Sequence, residues 1–113
     1  MPDQKMQEPI AIGCFTIEDL QHLQKQSPDQ IIIIDVRSQE EYAEKHIPGA
    51  INIPLDELES HSIKLSREAM IITVCGKGGG RSAQGAALLK QIGFINAKFL
   101  CGGTLGWYAR QLI

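Results

Sequence analysis

The chain has 113 residues, a net charge of −2 and no basic stripe, so nucleic acid and an anionic membrane surface are not expected as its main ligands. No apolar run approaches the length that spans a bilayer. The polar start of the chain lacks the apolar stretch of a signal peptide, so we expect a cytoplasmic protein. We expect residues 1–9 to be a flexible tail and residues 10–113 to form a single domain.

The cysteine pattern limits the covalent and metal chemistry that we expect. The chain has an odd number of cysteines, namely Cys14, Cys75 and Cys101, and no two of them are close together in the sequence. The histidines have no partner at metal-ligand spacing. The sequence therefore predicts neither a disulfide framework nor a zinc site, and it implies no metal or organic cofactor.

Helices and strands alternate from the start of the predicted domain. Thr16 and Asp19 resemble a capping box and predict a helix that begins there. The apolar, β-branched run at residues 31–36 predicts a strand that is covered on both faces in a parallel sheet. Ser38 and Glu41 form a second capping box and predict a short helix directly after that strand.

The rest of the chain continues the alternation. Its predicted strands lie at residues 50–53, 70–74 and 97–100, and its predicted helices at residues 55–58, 83–92 and 104–111. This order predicts an α/β fold, with a mostly parallel central sheet and helices on both faces. In such sheets ligands bind beyond the carboxyl ends of the strands. Candidate site residues are therefore sought directly after each strand.

A cysteine followed by a glycine-rich loop comes directly after the predicted strand at residues 70–74. Cys75 is followed by Gly76, Lys77, Gly78, Gly79, Gly80, Arg81 and Ser82. Glycines let loop amides turn inward to form an anion nest, and the first amides of a helix carry partial positive charge. Arg81 adds a permanently charged fork. We therefore predict that Cys75 is a nucleophile with a thiol pKa below the ordinary value of about 8.5, and that the seven following residues bind an anion.

Four motifs occur in one order over most of the predicted domain. They are Asp35-Val36-Arg37 with Glu40 and Tyr42, then His46 with residues 47–54, then Cys75 with Arg81-Ser82, and finally Gly102-Gly103 with Trp107. Together they resemble the single-domain form of the rhodanese family. The resemblance implies a rhodanese-like α/β domain. It also implies a thiosulfate-type sulfurtransferase that moves a sulfane sulfur from thiosulfate or a persulfide donor to a thiophilic acceptor through a Cys75 persulfide.

The resemblance also assigns roles and partners. Arg81 and Lys77 would attract the oxyanion, and the amides of residues 76–81 would hold the anion and the persulfide. Asp35 and Arg37 would form a structural buried pair that ties the strand end to the following loop. The implied partners are a small anionic donor such as thiosulfate and a thiol or cyanide-like acceptor, or a sulfur-carrier protein. No nucleic acid and no membrane is implied.

The spacing of the loop departs from the usual pattern of the family. Rhodaneses that move sulfur usually have four residues between Cys and Arg, and this chain has five. The longer spacing is similar to that of rhodanese-fold phosphatases and arsenate reductases, which are the alternative functions. Arsenate reduction would require a resolving thiol or glutathione. Cys101 is a candidate resolving thiol, although a packed position at a strand end is the favoured interpretation of that residue.

Two features of the sequence favour sulfur transfer over the alternatives. Sulfite leaves thiosulfate without a proton donor, whereas an alkoxide leaving a phosphate ester needs a placed acid, and the loop has no carboxyl group. Phosphatases whose cysteine and arginine have this five-residue spacing carry His before the cysteine, where this chain has Val74. A non-catalytic binding module is disfavoured, because such rhodanese-like domains typically lack the cysteine.

Overall fold

A parallel five-stranded sheet forms the centre of the computed structural model, which describes residues 14–111. The strands are ordered β1-β5-β4-β2-β3, and every neighbouring pair is parallel. They comprise β1 Cys14–Phe15, β2 Ile31–Asp35, β3 Ile51–Asn52, β4 Met70–Val74 and β5 Ala97–Leu100. The predicted α/β class is confirmed. The predicted flexible tail at residues 1–9 lies outside the described residues.

Helices connect the strands, and their starts follow the local sequence. The α-helices of the described residues are α1 Ile17–Gln26, α2 Gln39–Glu44, α3 Leu58–His61, α4 Arg81–Gln91 and α5 Gly103–Gln111. The side chain of Thr16 accepts a hydrogen bond from the Asp19 amide, and both bonds of the Ser38–Glu41 capping box form. These two helix starts are confirmed. No helix in residues 14–111 has the length and apolar character needed to cross a membrane.

Several boundaries and one strand differ from the predictions. Strands β2 and β3 are shorter than predicted, and the helix predicted at residues 55–58 is a 3₁₀-helix at Leu55–Glu57 followed by α3. Helix α4 begins at Arg81 rather than at residue 83, because Gly80 has a positive φ of 52° and occupies the N-cap position. Helix α5 begins at Gly103, one residue before its predicted start. Strand β1 was not predicted, because two residues carry no detectable periodicity.

The two faces of the sheet are covered by separate apolar layers. Ile34 and Ile71 belong to the layer that also contains side chains of α3 and α4. Ile33 and Ile72 belong to the layer that contains side chains of α1 and α5. Neighbouring residues of β2 and β4 therefore face opposite layers, which explains their continuous apolar sequence. The predicted placement of helices on both faces is confirmed.

A buried ion pair stabilises the chain directly after β2. Asp35 Oδ1 accepts hydrogen bonds from the amide and the Nε of Arg37, both at 3.0 Å, and Oδ2 accepts one from Nη2 at 2.9 Å. Arg37 Nη2 also donates to the carbonyl of Lys45. The pKa of Arg37 is raised, first of all by its hydrogen bond to Asp35. The structural role predicted for this pair is confirmed.

The expectation of no disulfide is wrong, because Cys14 and Cys101 are disulfide-bonded. The Cα atoms of the two residues lie 5.3 Å apart, within the usual range for a disulfide. The pairing of β1 with β5 brings them together, and the Cys101 amide donates to the Phe15 carbonyl at 2.9 Å. Cys75 is the free cysteine of the described residues.

Reducing the Cys14–Cys101 disulfide is expected to lower the free energy of unfolding by about 2–4 kcal/mol, because the bond closes a long loop in the unfolded chain. Denaturant unfolding of the oxidised and reduced protein measures the difference. Cys14→Ser is the control, and it should have the stability of the reduced protein under both conditions. Equal stability of oxidised and reduced wild type would contradict the prediction.

Candidate active site

Cys75 lies at the carboxyl end of the central strand β4 and faces a cavity of about 520 Å³. The cavity is lined by residues 75–81 and by Arg37, Glu41, Glu44 and Leu105. Most of the predicted loop therefore surrounds one opening, and Ser82 is buried beneath it. Among residues 14–111, no group of three or more His, Cys, Asp or Glu side chains is arranged to hold a metal ion.

A second cavity, of about 580 Å³, lies at the opposite edge of the sheet. It is lined by the amino ends of β2 and β4, including Ile31 and Met70, and by polar side chains such as Asp29, Glu68 and Asn96. The described residues that line it include no cysteine and no cationic side chain. We therefore place the candidate site at Cys75, at the carboxyl edge where ligands bind in such sheets.

A network of hydrogen bonds from Ser82 holds the loop around the sulfur. Cys75 Sγ donates to the Gly79 carbonyl at 2.9 Å and lies 3.2 Å from Ser82 Oγ. Ser82 Oγ accepts from the Gly79 amide at 3.1 Å and donates to the Gly79 carbonyl at 3.0 Å. We expected loop amides to face the sulfur, but at Gly79 a carbonyl oxygen does. The Ser82 hydroxyl is close enough to rotate and donate to a Cys75 thiolate.

The first turn of α5 holds the start of the loop in place. The Thr104 amide donates to the Cys75 carbonyl and the Leu105 amide to the Gly76 carbonyl, each at 2.9 Å. Gly103 permits this approach, since a Cβ atom there would lie 2.7 Å from the Gly76 carbonyl oxygen. The amides at the start of α5 are therefore satisfied by the loop. This contact gives a structural reason for Gly103 in the Gly102-Gly103 motif.

The guanidinium of Arg81 is bound to Glu41 of helix α2. Nη1 donates to Oε1 at 2.9 Å and Nη2 to Oε2 at 3.2 Å, which is a bidentate pair. Glu41 Oε1 also accepts from the Ser38 amide at 3.0 Å and the Ser38 hydroxyl at 3.1 Å. The side chains of Arg81 and Glu41 are 45% and 41% exposed. The fork that we predicted for an oxyanion is thus occupied by a carboxylate.

This pairing fixes the charge state of Glu41. The pKa of Glu41 is lowered from 4.5 to about 2, first by the hydrogen bond from Arg81 and next by that from the Ser38 amide. The pKa of Arg81 is raised by the same bond, with a smaller contribution from the charge of Cys75. Glu41 is therefore an ionised carboxylate at neutral pH and cannot donate a proton there.

The sequence analysis assigned Glu41 only to a helix cap. The signal that could have placed it at the site is topological. Strands β2 and β4 are neighbours in the sheet, so the helix that begins after β2 lies beside the loop that follows β4. Lys77, the other predicted cation of the loop, is exposed and lines the cavity.

The family model described as Rhodanese-like domain matches residues 16–110. The chain belongs to this family. The predicted resemblance and the rhodanese fold are therefore confirmed. The crystal structure of the BH2092 protein from Bacillus halodurans superposes with a TM-score of 0.78 at 38% identity, covering 87% of this chain and 72% of that one.

Two relatives of this rhodanese-like domain have names that concern sulfur. The putative sulfur carrier protein YrkF of Bacillus subtilis is 36% identical over 81 residues, which is 72% of this chain but 43% of that protein. Thiosulfate sulfurtransferase GlpE of Coxiella burnetii is 33% identical over 81 residues, 72% of this chain and 75% of the relative. The chain thus spans less than half the length of YrkF. These relatives support a sulfurtransferase function at the level of the family.

Gly78→Ala is expected to lower the free energy of unfolding by more than about 2 kcal/mol, because it combines an unfavourable positive φ with a backbone clash. Gly78 has a φ of 86°, and a Cβ atom there would lie 2.9 Å from the Leu100 carbonyl oxygen. Gly76→Ala is the matched control in the same loop, since a Cβ atom at Gly76 meets nothing within 4 Å. Denaturant unfolding measures both variants, and equal losses would contradict the prediction.

The contribution of the Arg81–Glu41 pair to stability should depend on pH. Because folding lowers the pKa of Glu41 from 4.5 to about 2, the pair stabilises the fold above pH 4.5, and this contribution is lost as the pH falls towards 2. We expect the stability difference between wild type and Glu41→Gln to be constant near neutral pH and to shrink on acidification below 4.5. Denaturant midpoints over a pH series test this, and a difference unchanged by acid would refute it.

Proposed function

We propose that this chain is a thiosulfate-type sulfurtransferase that carries a sulfane sulfur on Cys75. The donor is thiosulfate or a persulfide, and the acceptor is a thiol or cyanide-like nucleophile. The observation that carries the proposal is the free Cys75 at the end of the central strand, facing a cavity with Lys77 and Arg81 at its rim. The rhodanese-like family and a relative named thiosulfate sulfurtransferase support the same chemistry.

The proposed reaction has two transfers that leave the cysteine unchanged. The Cys75 thiolate attacks the outer sulfur of thiosulfate, the sulfur–sulfur bond of the donor breaks, and sulfite leaves with the bonding electron pair. Cys75 then carries the transferred sulfur as a persulfide anion. A nucleophilic acceptor attacks that outer sulfur, the new bond forms, and the Cys75 thiolate is released. The total charge is conserved in each step, and neither step requires an added proton.

The residues around Cys75 have distinct parts in this proposal. The Ser82 hydroxyl, 3.2 Å from Sγ, can donate to the thiolate that is regenerated in each cycle. The amides of Thr104 and Leu105 keep the start of the loop fixed by binding its carbonyls. Lys77 at the rim of the cavity supplies a positive charge for an approaching anion. These contacts position the nucleophile and leave the outer side of the loop open to the donor.

The available carboxylates argue against phosphate ester hydrolysis. Expelling an alkoxide or phenoxide requires a protonated acid at the leaving group. Glu41 lines the cavity but is ionised and bound to Arg81, and Asp35 is buried in its pair with Arg37, so neither is available as this acid. Glu44 is the remaining carboxylate of the cavity lining, and the Cys75 loop itself has none. For arsenate reduction, the proposed resolving thiol of Cys101 is bonded to Cys14. Sulfur transfer needs neither a general acid nor a second thiol, so it is the function that we retain.

The partners of the reaction follow from the same chemistry. A small anionic donor fits a cavity of about 520 Å³ that opens at the cysteine. A sulfur-carrier protein is a further candidate acceptor, since the relative from Bacillus subtilis is named a putative sulfur carrier protein. A cytoplasmic location remains a prediction from the sequence.

Incubation with thiosulfate or an alkyl hydropersulfide is expected to add one sulfur atom to Cys75, as seen by intact-mass spectrometry with peptide mapping. Cys75→Ser should lose the adduct and sulfur transfer to cyanide, because no thiolate remains, while its thermal unfolding stays close to that of wild type. Cys101→Ser is the control and should retain most of the activity. A wild type that ignores both donors but hydrolyses an aryl phosphate would overturn the proposed function.

A further inference from the structure

We propose that Glu41 sets donor specificity by occupying the Arg81 fork, so that the site selects monoanionic sulfane-sulfur donors against the thiosulfate dianion. This inference rests on the proposed function and names the donor class within it. Glu41 is a positioning residue in this account, since it acts through Arg81 rather than on the reacting sulfur. Three observations support it: the geometry of the pair, the charge around the cavity and the anchoring of Glu41 by its own helix.

The end-on fork of Arg81, formed by its two terminal nitrogens, is already occupied by a carboxylate. Both terminal nitrogens of Arg81 donate to Glu41, at 2.9 and 3.2 Å, in the arrangement that a bidentate oxyanion would otherwise adopt. The carboxylate of Glu41 belongs to the same chain and is already in place. A donor that relies on the Arg81 fork must therefore displace an internal competitor.

The anchoring of Glu41 makes this competitor difficult to displace. Ser38 donates to Glu41 Oε1 from its amide and its hydroxyl, at 3.0 and 3.1 Å, as part of the capping box of α2. The carboxylate therefore stays near the loop even when its bonds to Arg81 are broken. A dianion that binds Arg81 would sit beside this fixed negative charge, and the repulsion would weaken its binding.

The charges that line the cavity are nearly balanced, which disfavours a dianion further. The lining side chains are the cations Arg37, Lys77 and Arg81 and the anions Glu41 and Glu44. Arg37 is already paired with a buried carboxylate, and Arg81 is paired with Glu41. The remaining charged side chains of the lining are Lys77 and Glu44, whose charges sum to zero. Entering such a site costs a monoanionic donor less free energy than it costs thiosulfate. The lining side chains attract and repel a single charge less strongly than a double charge.

Methanethiosulfonate is a suitable donor for comparison. It has the tetrahedral sulfur and terminal sulfane sulfur of thiosulfate, but a methyl group replaces one oxyanion and the net charge is −1. The Cys75 thiolate attacks its outer sulfur, methanesulfinate leaves with the bonding electrons, and the same Cys75 persulfide forms. Differences between the donors therefore arise in donor binding and in the first transfer, not from a different intermediate. Comparing each variant with wild type on the same donor cancels the difference in leaving group.

Glu41→Gln isolates the proposed effect. The Gln Oε1 can still accept the capping bonds from Ser38, since Gln serves in capping boxes, but the charge that holds Arg81 is removed. Glu44→Gln is the matched control, because it removes a negative charge from the same cavity without releasing the Arg81 fork. Glu41→Asp keeps the charge on a shorter side chain and should fall between wild type and Glu41→Gln.

We expect Glu41→Gln to lower the KM for thiosulfate about tenfold, which is the size of one charge-assisted hydrogen bond regained by the donor. The KM for methanethiosulfonate should change less than about twofold, because its single charge gains less from the released fork. The kcat for each donor should stay within about twofold, since the reacting atoms are unchanged. Glu44→Gln should shift the KM for thiosulfate by less than Glu41→Gln does.

Arg81→Ala tests whether Glu41 acts on the donor through Arg81 or only supports the folding of α2. In the Arg81→Ala background, adding Glu41→Gln should no longer lower the KM for thiosulfate, because there is no fork to release. A structural effect of Glu41 on α2 would persist in that background. Thermal unfolding of every variant identifies any loss of folding, and Glu41→Asp provides the test if Glu41→Gln does not fold.

The outcomes distinguish this inference from the proposed function. If wild type transfers sulfur but Glu41→Gln raises the KM for thiosulfate, or lowers it equally for both donors, the specificity role of Glu41 is overturned while the proposed function stands. If wild type takes sulfur from neither donor, the proposed function fails and this inference fails with it. A selective fall in the KM for thiosulfate that requires Arg81 supports both.

Discussion

The site depends on one backbone contact, the packing of the Cys75 loop against the first turn of α5. In a parallel sheet the ends of neighbouring strands lie side by side, so the loop after β4 necessarily meets the turn after β5. The meeting is close enough that the amides of Thr104 and Leu105 donate to loop carbonyls, and Gly78 and Gly103 are needed where a side chain would collide with backbone. The position of Cys75 is therefore set by main-chain atoms.

That contact divides the loop into a fixed part and a part that faces the cavity. The carbonyls of Cys75 and Gly76 are bound to α5, whereas Gly79 is held through Ser82 and the Cys75 sulfur. Arg81 then begins α4 and extends to Glu41 on α2. Helix α2 thus sets the charge at the mouth of the cavity through Glu41. The capping box at the start of α2 also holds Glu41 in place as the partner of Arg81.

The features that could be predicted from the sequence are local ones. Ser38 and Glu41 are three residues apart, so their capping box is encoded within one turn and forms as predicted. The bond between Cys14 and Cys101 spans 87 residues and depends on pairing of the two-residue strand β1, for which spacing gives no signal. The contact of Glu41 with Arg81 was missed for the same reason, since the order of the strands brings α2 to the loop.

The longer loop does not by itself give the site the chemistry of a phosphatase. A tetrahedral phosphate requires several amides directed at one anion, a free arginine fork and a protonated acid. In this structure the Gly79 carbonyl contacts the sulfur, and the Arg81 fork is bound by an ionised Glu41. The proposed sulfur transfer imposes weaker demands, because sulfite is stable as an anion and the proposed intermediate is bound covalently to Cys75. The five-residue spacing is therefore compatible with the proposed sulfur transfer, and the carboxylate bound to Arg81 argues against a phosphate site.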